Sequence, residues 1–255
     1  MSLTLTPLSG IPLIRRGDDL ADLVVEALHR NNIALESNDI LVLAQKIVSK
    51  AEGRAVNLMT VTPSQQAVDL ARETGKDARI VELMLRESNE ILRTRVGTII
   101  VEHRLGFVCA NAGIDHSNVA GEGDGTEEWV LLLPEDPDRS AEGIRREVET
   151  KTGKKVGILI IDSHGRAWRN GTVGVAIGVA GLPGLQDLRG QPDLFGFALR
   201  ITQVGVADEL AAAASLMMGQ AAEGTPVVHV RGFPYPLRAA SLKELLRPQE
   251  EDLFR

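Results

Sequence analysis

Two aspartates, each following a short apolar run, are the residues of this chain best placed to do chemistry. Val156 to Ile161 is a β-branched stretch of the kind buried on both faces of a sheet. It runs into Asp162-Ser163-His164-Gly165, with Arg166, Trp168 and Arg169 close behind. A second apolar run, Gly106 to Ala110, leads into Asn111-Ala112-Gly113-Ile114-Asp115-His116-Ser117-Asn118. Ligands of α/β proteins bind just beyond such strand ends, so each aspartate is predicted in a polar loop past its strand. Two carboxylates converging there would hold a hard cation, Mg²⁺ or Mn²⁺, bridging nucleotide phosphates, and Ser163 would add a hydroxyl ligand. Lys46 and Lys50, just after the apolar run Ile40 to Leu43, would join Arg166 and Arg169 in supplying the positive charge that phosphoryl transfer needs. The plainer alternative is a turn-capping aspartate with solvated lysines and arginines. The residue types reach as far as metal-assisted phosphate or nucleotide chemistry.

Other chemistries find less support. The five histidines are scattered, with no His-x-x-x-His pair, and no Gly-x-Ser-x-Gly elbow is present. The glycine-rich run Gly174 to Gly184 is not a Walker A sequence and misses G-x-G-x-x-G, so it is read as close backbone packing in a core. The acidic segment Gly121 to Gly125 matches no EF-hand and is predicted to be exposed.

The elements that must position these residues are a mixture. Asp18 or Asp19 caps a helix carrying Leu20, Leu23, Val24 and Leu28. Thr62-Pro63-Ser64-Gln65 opens a second helix running to Gly75, and a third spans Asp77 to about Ser88. Thr98 to His103 and Gly106 to Ala110 form a hairpin, and Trp129 to Leu133 a strand. Pro134 to Asp138 reads as a rigid turn before a helix from about Ser140 to Thr152. An alanine-rich helix, Ala207 to Met218, ends at Gly219 and would pack closely on a helix or a second subunit; a strand, Pro226 to Val230, follows. Without repeats, strict βαβ alternation or a separating linker, residues 1–255 are predicted to form a single α/β (mixed α+β) domain of complex mixed-sheet topology.

A net charge of −7 argues against a nucleic-acid surface. One cysteine, Cys109, excludes an intrachain disulfide and suits a reducing compartment. No signal-peptide pattern opens the chain, and no run approaches the roughly 18 apolar residues of a membrane span. A cytoplasmic protein without membrane or nucleic-acid partners is therefore expected.

At these residues the sequence resembles the coenzyme F420-0:L-glutamate ligase (coenzyme F420:γ-glutamyl ligase) family. The matching blocks are GIPLIRRGDDL at 10–20, LAQKIVSKAEGR at 43–54, EHRLGFVCANAGIDHSN at 102–118 and LLPEDPDRSA at 132–141. IDSHGRAWRNG at 161–171, VAIGVAG at 175–181, DLRG at 187–190, ADELAAAASLMMG at 207–219 and PVVHVRG at 226–232 follow in family order. The C-terminal nitroreductase-like domain of longer members has no counterpart here.

The resemblance implies a GTP-dependent amide ligase. It would add L-glutamate to the carboxylate of coenzyme F420-0 through an acyl phosphate, then extend a γ-linked tail. It further implies an intertwined homodimer, two Mg²⁺ or Mn²⁺ ions, and K⁺ as a candidate monovalent ion. Carried over by position, Asp115 and Asp162 match ligands of one ion, and Ser163 with Gln220 ligands of a second. Gly10, Ile11, Pro12, Leu13, Gln45, Lys50 and Asn118 match GTP-contacting positions, completed by Met218, Gly219 and Gln220. Asp115, Asp162 and Arg166 are the expected catalytic set. Ser163 stands where the family more often has Thr, and Gly174 where it often has an acidic or polar residue. Two other classes compete: a non-catalytic metal–GTP binding protein, and a metal-dependent phosphohydrolase for which no phosphatase motif is present.

Overall fold

A computed structural model describes residues 2–119 and 128–253; the acidic Gly121–Gly125 segment lies outside them. The chain runs β1 (Thr4–Pro7), α1 (Leu20–Arg30), β2 (Ile40–Ala44), α2 (Gln45–Ala51), β3 (Ala55–Asn57), α3 (Gln65–Thr74), α4 (Ala78–Arg86) and β4 (Ser88–Arg95). It continues through β5 (Thr98–His103), β6 (Val108–Ala110), β7 (Trp129–Leu131), α5 (Pro137–Thr152), β8 (Gly157–Arg166) and β9 (Arg169–Ala180). Two short strands, β10 (Gln186–Asp187) and β11 (Gln203–Val204), precede α6 (Val206–Met218) and β12 (Val227–Arg231). The fold is mixed α/β, as expected.

The main sheet has the order β1-β12-β2-β8-β9, and only the central pair β2 and β8 is parallel. Burial on both faces explains its unbroken apolar strands. Ile158 and Ile160 point to a core shared with α1 and α5, while Leu159 and Ile161 point to a core under α6. Residues 55–119 and 128–131 build a second lobe around two smaller cores, with α3 and α4 against the three-stranded sheet β4-β5-β6 and β3 paired with β7. The register sets one edge of the main sheet apart. Pro7 ends β1 opposite Val228, Ala44 ends β2 opposite Ile161, and β12 starts beside Leu43.

The glycines of β9 are packing residues, as the apolar run suggested. A Cβ on Gly178 would lie 2.5 Å from the Pro137 carbonyl oxygen of α5, and one on Gly174 would lie 2.5 Å from the Ala211 carbonyl oxygen of α6. The strand is thus gripped by a helix on each face. The small residues Ala207, Ala211 and Ala214 serve this approach to the sheet rather than a helix–helix contact. Gly178→Ala should destabilise the fold by about 1–3 kcal/mol, the usual cost of overpacking a filled core. Urea unfolding of the variant reads this directly; an unchanged midpoint would show that α5 moves away at no cost.

Several boundaries differ from the sequence-based expectation for physical reasons. Asp162 and Ser163 lie inside β8, not in a loop beyond it, because the backbone ladder to Val175, Gly174 and Val173 continues after the apolar run ends at Ile161. The cap of α3 is Ser64, whose hydroxyl accepts from the Ala67 N–H at 3.2 Å, so Pro63 precedes the helix rather than opening it. Asp136 caps α5, which begins at Pro137 within the expected turn. Strand β4 was not anticipated, since its sequence, SNEILRTR, is largely exposed and lacks apolar alternation.

Candidate active site

The site forms at the edge where β1, β2 and β12 meet. Helix α2 starts directly at the end of β2, and its first residue, Gln45, is buried. Its amide donates from Nε2 to Asp115 Oδ2 at 2.8 Å, while its Oε1 accepts from the buried Ser49 hydroxyl at 2.9 Å. The fixed amide holds Asp115 from α2. Asp115 is also held through its backbone, which exchanges two hydrogen bonds with Leu131 of β7. Before it, Asn111, Ala112 and Gly113 all have positive φ, of 54°, 53° and 64°. For a buried alanine this conformation is strained, and such turns gather at sites that must aim a side chain.

Asp162 approaches from β8. Its negative charge adds to burial, the larger effect, in pushing the Asp115 carboxyl above its ordinary pKa; Lys46 and Gln45 oppose the shift. Lys46 lies 3.5 Å from Asp115 Oδ2 and also binds Ser117. Asp162 raises the buried Cys109 thiol too, second to burial, to about 12, which leaves that thiol inert. Asp115 is a buried carboxylate with a second carboxylate within electrostatic reach and one lysine beside it, and a hard cation would relieve the repulsion. Among the described residues no group of three His, Cys, Asp or Glu gathers as a metal cage. The remaining ligands would have to be neutral oxygens, water or substrate phosphate, which suits Mg²⁺ or Mn²⁺.

Ser163 is the next residue of β8 and points to the opposite face. There its hydroxyl donates to Gln220 Oε1 at 2.9 Å, and Gln220 Nε2 donates to Ser215 Oγ at 3.0 Å. The two expected ligands of the second ion therefore touch, on the α6 side of the strand that carries Asp162.

The remaining predicted residues divide. Lys50, with its pKa lowered by burial and then by Lys46, donates to the Asn118 carbonyl at 2.7 Å. Asn118 Nδ2 reaches the Ala221 carbonyl at 3.3 Å, which joins the Asp115 loop to the turn after α6. Gly10 to Leu13 leave the same sheet edge, and Pro12 and Leu13 border a hollow of about 490 Å³ with Arg15, Asp18 and Leu23. The Gly10 carbonyl accepts from Arg30, and Leu13 is exposed. Gly219 ends α6, whereas the Met218 side chain packs in the core beneath it. Arg166 is not brought to the carboxylates. It lies four residues beyond Asp162, about 13 Å along an extended strand, and bonds the Asn170 carbonyl of its own hairpin. Sequence reasoning missed His164, whose Nε2 lies 3.1 Å from Asp162 Oδ2. Its position two residues on in the same strand was the available signal.

Comparison with known proteins supplies the deciding observation. A family model described as F420-0:Gamma-glutamyl ligase matches residues 10–232, which include both aspartates, Ser163 and Gln220. The chain belongs to that family. The coenzyme F420:L-glutamate ligase of Methanothermobacter thermautotrophicus is 50% identical over 257 residues, covering 100% of both chains. Those of Archaeoglobus fulgidus (43%, covering 100% of this chain and 97% of that one) and Methanocaldococcus jannaschii (42%, covering 96% and 94%) are also similar. As a member of the F420-0:gamma-glutamyl ligase family, the chain is a ligase of coenzyme F420 biosynthesis. Among the described residues no helix of this ligase is long and apolar enough to cross a membrane.

Proposed function

We propose that the protein joins L-glutamate to the terminal carboxylate of coenzyme F420-0 at the expense of GTP, through an acyl phosphate. The observation that carries the reading is the buried Asp115 carboxylate, held by Gln45 within electrostatic reach of Asp162, with Lys46 and Lys50 on the helix that starts beside it. A carboxylate is a poor electrophile, so its oxygen first takes the γ-phosphoryl group and GDP leaves. The glutamate amine then attacks the acyl carbon, loses a proton, and expels phosphate. Asp115 and Asp162 would hold one divalent ion, and Ser163 with Gln220 a second; such ions neutralise the phosphates and the acceptor carboxylate. Gln45 orients Asp115. Lys46 and Lys50 face the phosphates, and the Gly10–Leu13 segment and the Gly219–Gln220 turn border the nucleotide. We also propose that the enzyme acts as a cytoplasmic homodimer. Leu194, Phe195 and Ile201, at 98%, 95% and 88% exposure, project from the segment between β10 and β11, and Leu216 is exposed on α6, apolar surface that a second copy would cover.

Incubation of the protein with GTP, Mn²⁺ or Mg²⁺, L-glutamate and F420-0 should give GDP and a product one glutamyl unit heavier, read by mass spectrometry. GTP binding with neither product would favour a binding protein. Phosphate release that ignores glutamate would favour a phosphohydrolase.

A further inference from the structure

We propose that His164 is a positioning residue for Asp162, clamped by Phe107 so that one ring fixes the spacing of the two carboxylates. The inference rests on the reading of Asp115 and Asp162 as a cation site. Asp162 and His164 are two residues apart on β8 and share a face. His164 Nε2 lies 3.1 Å from Asp162 Oδ2, with both side chains nearly buried, at 12% and 13% exposure. An ionised carboxylate only accepts, so the imidazole donates. That bond engages Oδ2 and restrains rotation of the carboxylate, so the Asp162 side chain would be held ready for a cation.

The ring is itself held from the second lobe. The Phe107 centroid is 5.3 Å from that of His164, tilted by 51°, and the same ring stacks on His103 at 5.2 Å and 10°. Phe107 belongs to the turn between β5 and β6, eight residues before Asp115. The same short segment therefore delivers one carboxylate and grips the imidazole that orients the other. His103 is in turn fixed, its Nδ1 accepting from the Leu105 N–H at 3.0 Å. The stack His103–Phe107–His164 thus ties the lobe of Asp115 to the strand of Asp162.

Residues that orient a ligand from outside the coordination shell typically change metal affinity by about 10–100-fold when lost. The test is Mn²⁺ titration of the full chain without nucleotide, reading free Mn²⁺ by electron paramagnetic resonance, with thermal unfolding of each metal-free variant alongside. His164→Leu should weaken Mn²⁺ binding about 10–100-fold, with little change in the metal-free unfolding temperature. His164→Gln, which returns an amide N–H near the Nε2 position, should recover most of the affinity. Phe107→Leu should bind more weakly than wild type. If Asp162→Asn loses Mn²⁺ but His164→Leu binds it as wild type does, the positioning role is overturned and the cation site stands. If wild type and Asp162→Asn behave alike, the site reading fails and the proposal with it. Should His164→Leu not fold, His164→Gln decides: affinity near wild type supports the donor role, and a loss of about tenfold or more overturns it.

Discussion

Asp115→Asn and Asp162→Asn should each cut ligase turnover by about 10³ or more, and Asp115→Asn should do so without lowering the stability of the metal-free protein. The first number follows from the proposed role in holding a cation. Charge neutralisation by a bound cation contributes several kcal/mol to a phosphoryl-transfer transition state, and about 4 kcal/mol is 10³ in rate. The second follows from electrostatics. Burial, then the negative charge of Asp162, raise the Asp115 carboxyl above its ordinary value, and Lys46 with Gln45 only partly compensate. A carboxyl whose folded pKa lies above its unfolded one stabilises the fold as pH falls through the folded value; above it, at neutral pH, its charge is a net cost. Asparagine removes that charge and keeps an oxygen to accept from Gln45. Asp39 is a control of opposite sign. It is also buried, yet hydrogen bonds from Arg231 and His229 outweigh burial and hold it below the ordinary value, so Asp39→Asn should destabilise at neutral pH. GDP release and metal-free thermal unfolding check both halves. Near-normal turnover of Asp162→Asn would remove that residue from the reaction. A large loss of stability in Asp115→Asn would make its role structural.

Local chemistry made much of the fold legible. Asp19 caps α1, the αL glycines Gly75 and Gly153 end α3 and α5, and the apolar runs mark the central strands. What escaped were segments held by backbone pairing without burial. The outer half of β8 looks like a loop because its residues Asp162 to Arg166 are polar or small and Gly165 and Arg166 are exposed, yet each pairs with β9. Strand β4 escaped for the same reason. At the site, the two aspartates were legible as acids beside strands, but their convergence is a tertiary fact made by the left-handed turn at Asn111–Gly113 and by Gln45. Gln45 illustrates the limit. Its sequence position marks it only as a polar residue after a strand, and the buried amide's bonds to Asp115 and Ser49 become visible only in the fold. Likewise, the adjacency of Asp162 and Ser163 in sequence suggests one shared site, while strand geometry sends them to opposite faces.

His103 should impose an acid instability that its replacement removes. The ring is wholly buried, and its Nδ1 accepts from the Leu105 N–H, so the neutral form carries its proton on Nε2. Among the described residues that Nε2 has no hydrogen-bond partner. The nearest carboxylate oxygen, Glu87 Oε2, is 3.7 Å away and already takes hydrogen bonds from Arg54 and Arg104. Burial first, then the charge of Arg104, push the imidazole pKa down to about 4. In the unfolded chain it titrates near its ordinary value of about 6.5, so between about 6.5 and 4 the unfolded state binds the extra proton. Stability is therefore complete above that window and falls as pH drops through it, by about 3 kcal/mol from this group alone. Asp138 and Asp208, whose buried carboxyls titrate above their ordinary values, contribute the opposite slope, so the readout is the difference between wild type and His103→Gln. Urea unfolding at pH 7 and pH 4.5 should show the wild type losing more stability than the variant. Equal losses would mean that His103 protonates in the folded state, with Glu87 rather than Arg104 controlling the ring.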